Sequence, residues 1–116
     1  MSIKRIDPGP RMSKAVVHSN TVYLAGQVAD KTIGASVAEQ TAEILEIIDA
    51  LLAETSSHKG RILSATIYLT DIAKFAEMNA VWEAWVVPGH TPARATVEAK
   101  LASPKYNVEI VVVAGV

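Results

Sequence analysis

The run Val108-Glu109-Ile110-Val111-Val112-Val113 constrains what this chain can fold into more than any other segment. Every side chain in it except Glu109 is β-branched, which suits a pleated strand and disfavours a helix. Because it is apolar on both parities, both faces of that strand need cover. A chain of 116 residues offers one core, since a domain of this size buries about 65% of its unfolded surface. That core can cover one face. The other is expected to be covered by neighbouring copies of the chain. Composition points the same way: 50% of the residues are hydrophobic, which is rich for a small monomer.

Breakers and periodicity divide the rest. Two prolines and a glycine make Asp7-Pro8-Gly9-Pro10-Arg11-Met12-Ser13 a loop. Residues 14–18 and 21–26 are apolar, β-branched runs split by Ser19-Asn20, which reads as a hairpin. After a loop at 28–35, Ser36-Val37-Ala38-Glu39 has the spacing of a capping box, in which the hydroxyl and the carboxylate each satisfy a free amide. Ile44, Leu45, Ile48, Leu51 and Leu52 then recur at helical spacing until Ser56-Ser57-His58-Lys59-Gly60, so a helix is predicted over 37–56.

Residues 61–70 alternate, with Ala65, Ile67 and Leu69 on one side, as a half-buried strand does. Asp71 can cap a second helix, along which Ile72, Phe75, Met78, Asn79 and Trp82 fall near one side before Pro88-Gly89-His90-Thr91-Pro92 ends it. Strands near 93–101 and 107–115, joined through Ser103-Pro104, read as a closing hairpin. The order ββαβαββ predicts a single α+β domain over residues 1–116, a mixed sheet with two helices on one face.

Eleven basic and twelve acidic residues give a net charge of −1 with no run of one sign, so nothing marks a nucleic-acid or anionic-membrane surface. No cysteine is present, which removes disulfides, thiolate ligands and cysteine nucleophiles together and fits a reducing cytoplasm. No segment reads as a signal peptide or a membrane span. His18, His58 and His90 stand singly, without metal-ligand spacing. Ser13 has no nearby base, and Trp82 and Trp85 at a spacing of three fit a core or interface better than an aromatic cage.

Two charged residues sit where the chain is otherwise apolar or small. Arg94 follows Pro92-Ala93 at a strand start. Its planar fork suits bidentate binding of a carboxylate, and a structural ion pair or a solvated strand end is the alternative. Glu109 lies inside the most apolar run, where an unpaired carboxylate is costly. It could act on a water as a general base, or serve as an edge charge that blocks aggregation.

Val22-Tyr23-Leu24-Ala25-Gly26-Gln27, Asn79 with Trp82-Glu83-Ala84-Trp85, Pro92-Ala93-Arg94-Ala95-Thr96-Val97-Glu98, and Val108-Glu109-Ile110 together resemble the RidA/YjgF family. The resemblance spans nearly the whole chain. It implies a chorismate-mutase-like fold, a homotrimer with clefts between subunits, and hydrolysis of enamines and imines to 2-keto acids and ammonia without a cofactor or metal. It assigns the substrate carboxylate to Arg94 and water positioning or activation to Glu109; Thr96 and Asn79 are expected as further substrate contacts, and the backbone amides of Gly26 and Gln27 as additional donors. Two positions depart from the family: Ala25 stands where relatives commonly have serine, and Arg11 or Met12 where they have tyrosine.

If the last two strands pair as a hairpin, Arg94 lies opposite residues 113–115. Glu109 is then about 13 Å or more away within one chain, and the two can point to opposite faces. A second subunit is therefore expected to complete the cleft. The rival readings are a trimer that binds small carboxylates without turnover, and an RNA-cleaving or translation-inhibiting protein, which near-neutral charge and sparse aromatics disfavour.

Overall fold

A computed structural model describes residues 2–116; Met1, part of the expected domain, lies outside them. Its strands are β1 (Ile3–Ile6), β2 (Ala15–His18), β3 (Thr21–Leu24), β4 (Ile62–Leu69), β5 (Ala93–Glu98) and β6 (Val108–Gly115), and its helices α1 (Val37–Glu54) and α2 (Phe75–Trp85). The order ββαβαββ is present, preceded by β1, which the sequence did not signal. Four residues, two of them the charged Lys4 and Arg5, are too short a run for alternation to register, yet they pair along the outer edge of β2.

The hairpin at Ser19-Asn20 forms as read, with His18 opposite Thr21 and Ser19 in the left-handed region at φ 56°. The closing hairpin does not. The sheet order is β1-β2-β3-β6-β4-β5, so β4 separates β5 from β6. β5 runs parallel to β4, the result of a crossover through α2, while β6 lies antiparallel to both β3 and β4. The connection 99–107 is long enough to carry the chain across the end of β4, and Gln40 fixes its far end. That side chain is fully buried; it donates to the carbonyls of Ala35 and Lys105 and accepts from the Asn107 amide at 2.9 Å.

Both helices cover one sheet face, where Val22, Leu24, Ala65, Ile67, Leu69, Val108, Ile110, Val112 and Ala114 join Ile44, Leu45, Ile48, Leu52, Met78 and Trp82 in one core. The alternating burial of β4 and β6 follows from this. The opposite face carries Tyr23, Thr66, Tyr68, Val97, Val111 and Val113 and is open in the single chain: Tyr23 is 48% exposed and Val97 41%.

The helix starts differ from the simple capping box. Ser36 Oγ accepts from the Glu39 amide at 3.1 Å as expected, but the Glu39 carboxylate takes the Ser36 hydroxyl. The Ala38 amide is satisfied by Glu77, reaching over from α2. Helix α1 stops two residues early, with Ser56 rather than Gly60 in the left-handed region. Asp71 caps a 3₁₀ turn, Ile72–Lys74, that leads into α2.

The loop before α1 is held by a carboxylate the sequence did not single out. Glu43 accepts from the amides of Asp30, Lys31 and Thr32 and from the Thr32 hydroxyl. These donors, the Thr32 hydroxyl first and the Lys31 amide next, hold its pKa at about 2 instead of 4.5. A depressed carboxyl pKa contributes stability that is complete above the unfolded value and is lost as pH falls through the folded one. The protection factors of the Asp30–Thr32 amides, corrected for intrinsic exchange, are therefore expected to be constant above about pH 4.5 and to fall between about pH 4.5 and 2. In Glu43→Gln that pH-dependent loss should vanish, and an unchanged acid profile in the variant would remove the assignment.

Candidate functional site

Arg94 is the second residue of β5, an edge strand, and pairs with Ala65 of β4. Since Ala65 points into the core, Arg94 leans to the helix side of the sheet. It meets α2 there. Its Nη1 donates to Asn79 Oδ1 at 2.7 Å, and its guanidinium carbon lies 5.6 Å from the Phe75 ring centre and 5.5 Å from that of Trp82. Phe75, Asn79 and Trp82 share one side of α2 because positions four and three apart stack on a helix. The guanidinium thus rests on two ring faces with one amide oxygen at its end.

No carboxylate lies within ion-pair distance of Arg94 among the described residues, where the one salt bridge joins Lys14 to Asp7. Within the described chain no ion pair holds Arg94, and its side chain is half-buried against α2 instead of standing free at a strand end. Its other donors make no hydrogen bond within the described chain. Thr96, two residues along and on the same side, has a buried hydroxyl with no partner. Asn79 is engaged at both ends of its amide, giving Nδ2 to Glu83 at 2.8 Å.

Trp82 is 5% exposed and belongs to the core as read, while its ring also backs Arg94. Trp85 packs at 5.5 Å from it, donates to Asp49 and lies under Lys59. The part of Phe75 and Glu83 in this arrangement was not read from the sequence. The signal available was their spacing from Asn79 on a helix already predicted.

Glu109 lies on the other face. It pairs with Tyr68 between the buried Val108 and Ile110, so its side chain leaves the sheet opposite the helices. The carboxylate settles over Gly26: a methyl group built on that glycine would collide with it. Gly26 is therefore a close-approach glycine, the one residue type that lets this carboxylate lie against the backbone. Gln27 was expected to offer its amide to a substrate, but that amide is spent on the Ile110 carbonyl, 2.9 Å away, and its side chain turns back to Ala25. The Gly26 amide remains the available donor there.

Two half-sites result. Arg94, Asn79 and Thr96 sit at the helix side of β5; Glu109 lies over Gly26 on the open face, while Gln27 pairs with the buried Ile110 and so faces the helix side. Through Ala65, Arg94 is level with Val112, so Glu109 is two strands across and three residues along. That is about 14 Å between backbones, with side chains diverging. The opposite-face expectation holds, on a different register from the hairpin that suggested it. No group of three or more metal-ligating side chains occurs among the described residues, and no helix is long and apolar enough to cross a membrane.

Residues 2–116 match the family model described as endoribonuclease L-PSP. The chain is 50% identical over 116 residues to the RutC family protein YoaB of Escherichia coli K12, covering all of both. It is 48% identical over 114 residues to a RutC family protein of Haemophilus influenzae, covering 98% of each. Among solved structures, a YjgF family member from Neisseria meningitidis is 47% identical and superposes with a TM-score of 0.95, over 99% of this chain and 95% of that one.

Proposed function

The chain belongs to the RidA/YjgF family, whose model carries the endoribonuclease L-PSP description, and from that premise we propose that it hydrolyses the imines and enamines of 2-keto acids to 2-keto acid and ammonia. The observation that carries this reading is the state of Arg94: a fixed, half-buried guanidinium with no anion of its own and most of its donors unused. A small carboxylate is the ligand that such a fork binds by geometry as well as charge.

The reaction starts with a 2-imino acid whose carboxylate lies on Arg94; an enamine first moves a proton from nitrogen to carbon to become the imine. Water adds its oxygen to the imine carbon while a proton goes to nitrogen, giving a carbinolamine. The C–N bond then breaks, ammonia leaves with that electron pair and a proton, and the carbonyl of the 2-keto acid forms. Glu109 holds the water and relays its proton, with the Gly26 amide as a neighbouring donor. The reaction needs no cofactor, because the substrate is already activated.

One chain presents Arg94 and Glu109 on opposite faces, so the reading includes a homotrimer in which the open face of one subunit meets the β5 edge of another. The apolar open face supports this. The absence of cysteine fits work in a reducing cytoplasm. RNA cleavage, which the family description names, finds less support: net charge is −1 and the sequence has no run of basic residues.

The test generates imines in place with an amino-acid oxidase and follows ammonia release over a range of side chains. The protein is expected to accelerate release severalfold above the spontaneous rate. Binding of 2-keto acids without acceleration would favour a carboxylate-binding trimer instead.

A further inference from the structure

The Arg94 guanidinium is oriented by a chain of contacts that ends on an exposed carboxylate. Asn79 Oδ1 accepts from Arg94 Nη1 at 2.7 Å, and Asn79 Nδ2 donates to Glu83 Oε1 at 2.8 Å. An arginine is donor-only and an ionised carboxylate acceptor-only, so an amide between them has one permitted orientation. Flipped, Asn79 would present its NH2 group to a cation and its oxygen to an anion. Glu83 thus decides which end of Asn79 faces Arg94, and donation to a carboxylate also makes the amide oxygen a better acceptor.

We infer that Glu83 is a positioning residue for Arg94, acting through Asn79; its role toward the substrate carboxylate rests on the reading given above. The arrangement solves a conflict. A glutamate paired directly with Arg94 would orient it but occupy the donors a ligand needs. With Asn79 interposed, Glu83 orients the guanidinium at the cost of the Nη1 contact alone, and the edge formed by Nε and Nη2 stays free for two parallel bonds to a carboxylate. Phe75 and Trp82 fix the plane of the group, at 5.6 and 5.5 Å, while Asn79 fixes its rotation within that plane.

The dull alternative is that Asn79 and Glu83 form a surface pair at a spacing of four on α2, which supports an isolated helix only slightly. The two accounts differ at Arg94. A helix pair leaves the guanidinium unaffected when Glu83 is changed; a relay does not.

The experiment compares the wild-type protein with Glu83→Ala, Glu83→Gln, Asn79→Ala and the double variant Asn79→Ala/Glu83→Ala. One readout is side-chain nitrogen NMR of Arg94, which reports whether its Nη and Nε protons are ordered. The other is the affinity for pyruvate, a 2-keto acid of the proposed product class. Ordered Arg94 signals are expected in the wild type and in Glu83→Gln, which keeps an acceptor, and are expected to be lost in Glu83→Ala and Asn79→Ala. Pyruvate binding should weaken about tenfold in Glu83→Ala, the equivalent of one hydrogen bond to a charged group. Glu83→Gln should stay close to wild type, and Glu83→Ala should add nothing to Asn79→Ala, with the thermal midpoint unmoved. Arg94 signals equally ordered in Glu83→Ala would overturn the relay. Signals lost in that variant while the wild type binds no pyruvate would uphold the relay and overturn the carboxylate reading.

Discussion

Arg94→Ala is expected to lower imine hydrolysis by about 10²- to 10³-fold in kcat/KM, because two charge-assisted bonds to the substrate carboxylate are lost together. The fold should survive. Arg94 is on an edge strand and outside the core, and its removal takes away one hydrogen bond and two ring contacts, about 2.5–5 kcal/mol in all, while the packed core is left untouched. Circular dichroism and oligomeric mass should match the wild type at 25 °C. If helix content or assembly is lost along with activity, Arg94 is a structural residue and the site has been misassigned. Unchanged turnover in a well-folded variant would remove it from the reaction.

The second large effect concerns how the two half-sites meet. Arg94→Ala and Glu109→Ala subunits should each be inactive alone, yet regain activity when denatured and refolded together. If every cleft takes Arg94 from one chain and Glu109 from its neighbour, random mixing of equal amounts restores roughly a quarter of the clefts, because each residue is intact at its required place half of the time. Ammonia release near that fraction of wild type is the expected result, and native mass spectrometry would confirm mixed trimers near three times 12.4 kDa. Mixed trimers without activity would mean that both residues act from one chain, which the 14 Å separation estimated above and the opposed faces make hard to achieve. An inactive wild-type monomer after dilution would agree with sharing.

Much of this arrangement was legible locally. Ser36 caps α1, Asp71 caps the turn into α2, and the alternation of Ala65, Ile67 and Leu69 marked the core side of β4, all from chemistry within a few residues. Arg94 and Glu109 stood out because a charge among apolar neighbours needs a reason. What was not legible depended on contacts distant in sequence. The pairing of β5 is the clearest case: the turn at Ser103-Pro104 suggested a hairpin, but the hydrogen bonds of β5 go to β4, across α2, and no local signal distinguishes the two partners. Glu43 and Glu77 were missed for the same reason, since the amides they satisfy lie in a loop and in another helix. The close approach of the Glu109 carboxylate to Gly26 is likewise visible only once β6 lies beside it.

The placement of β6 has a kinetic consequence. It is the strand that joins the two parts of the sheet, with Thr21 opposite Gly115 on one side and Ile62 opposite Ala114 on the other. Until it docks, β3 and β4 each present an unpaired edge, and the loop that must close to bring it beside β3 spans most of the sequence. Loop closure of that length is entropically slow, and topologies dominated by such distant pairings fold late and cooperatively. Since β6 also brings Glu109 to Gly26, the half-site on the open face forms in the same step as the centre of the sheet. An intermediate lacking that strand would have two sticky edges and no Glu109 carboxylate over Gly26, so quality of folding and assembly of the candidate half-site are decided by a single event.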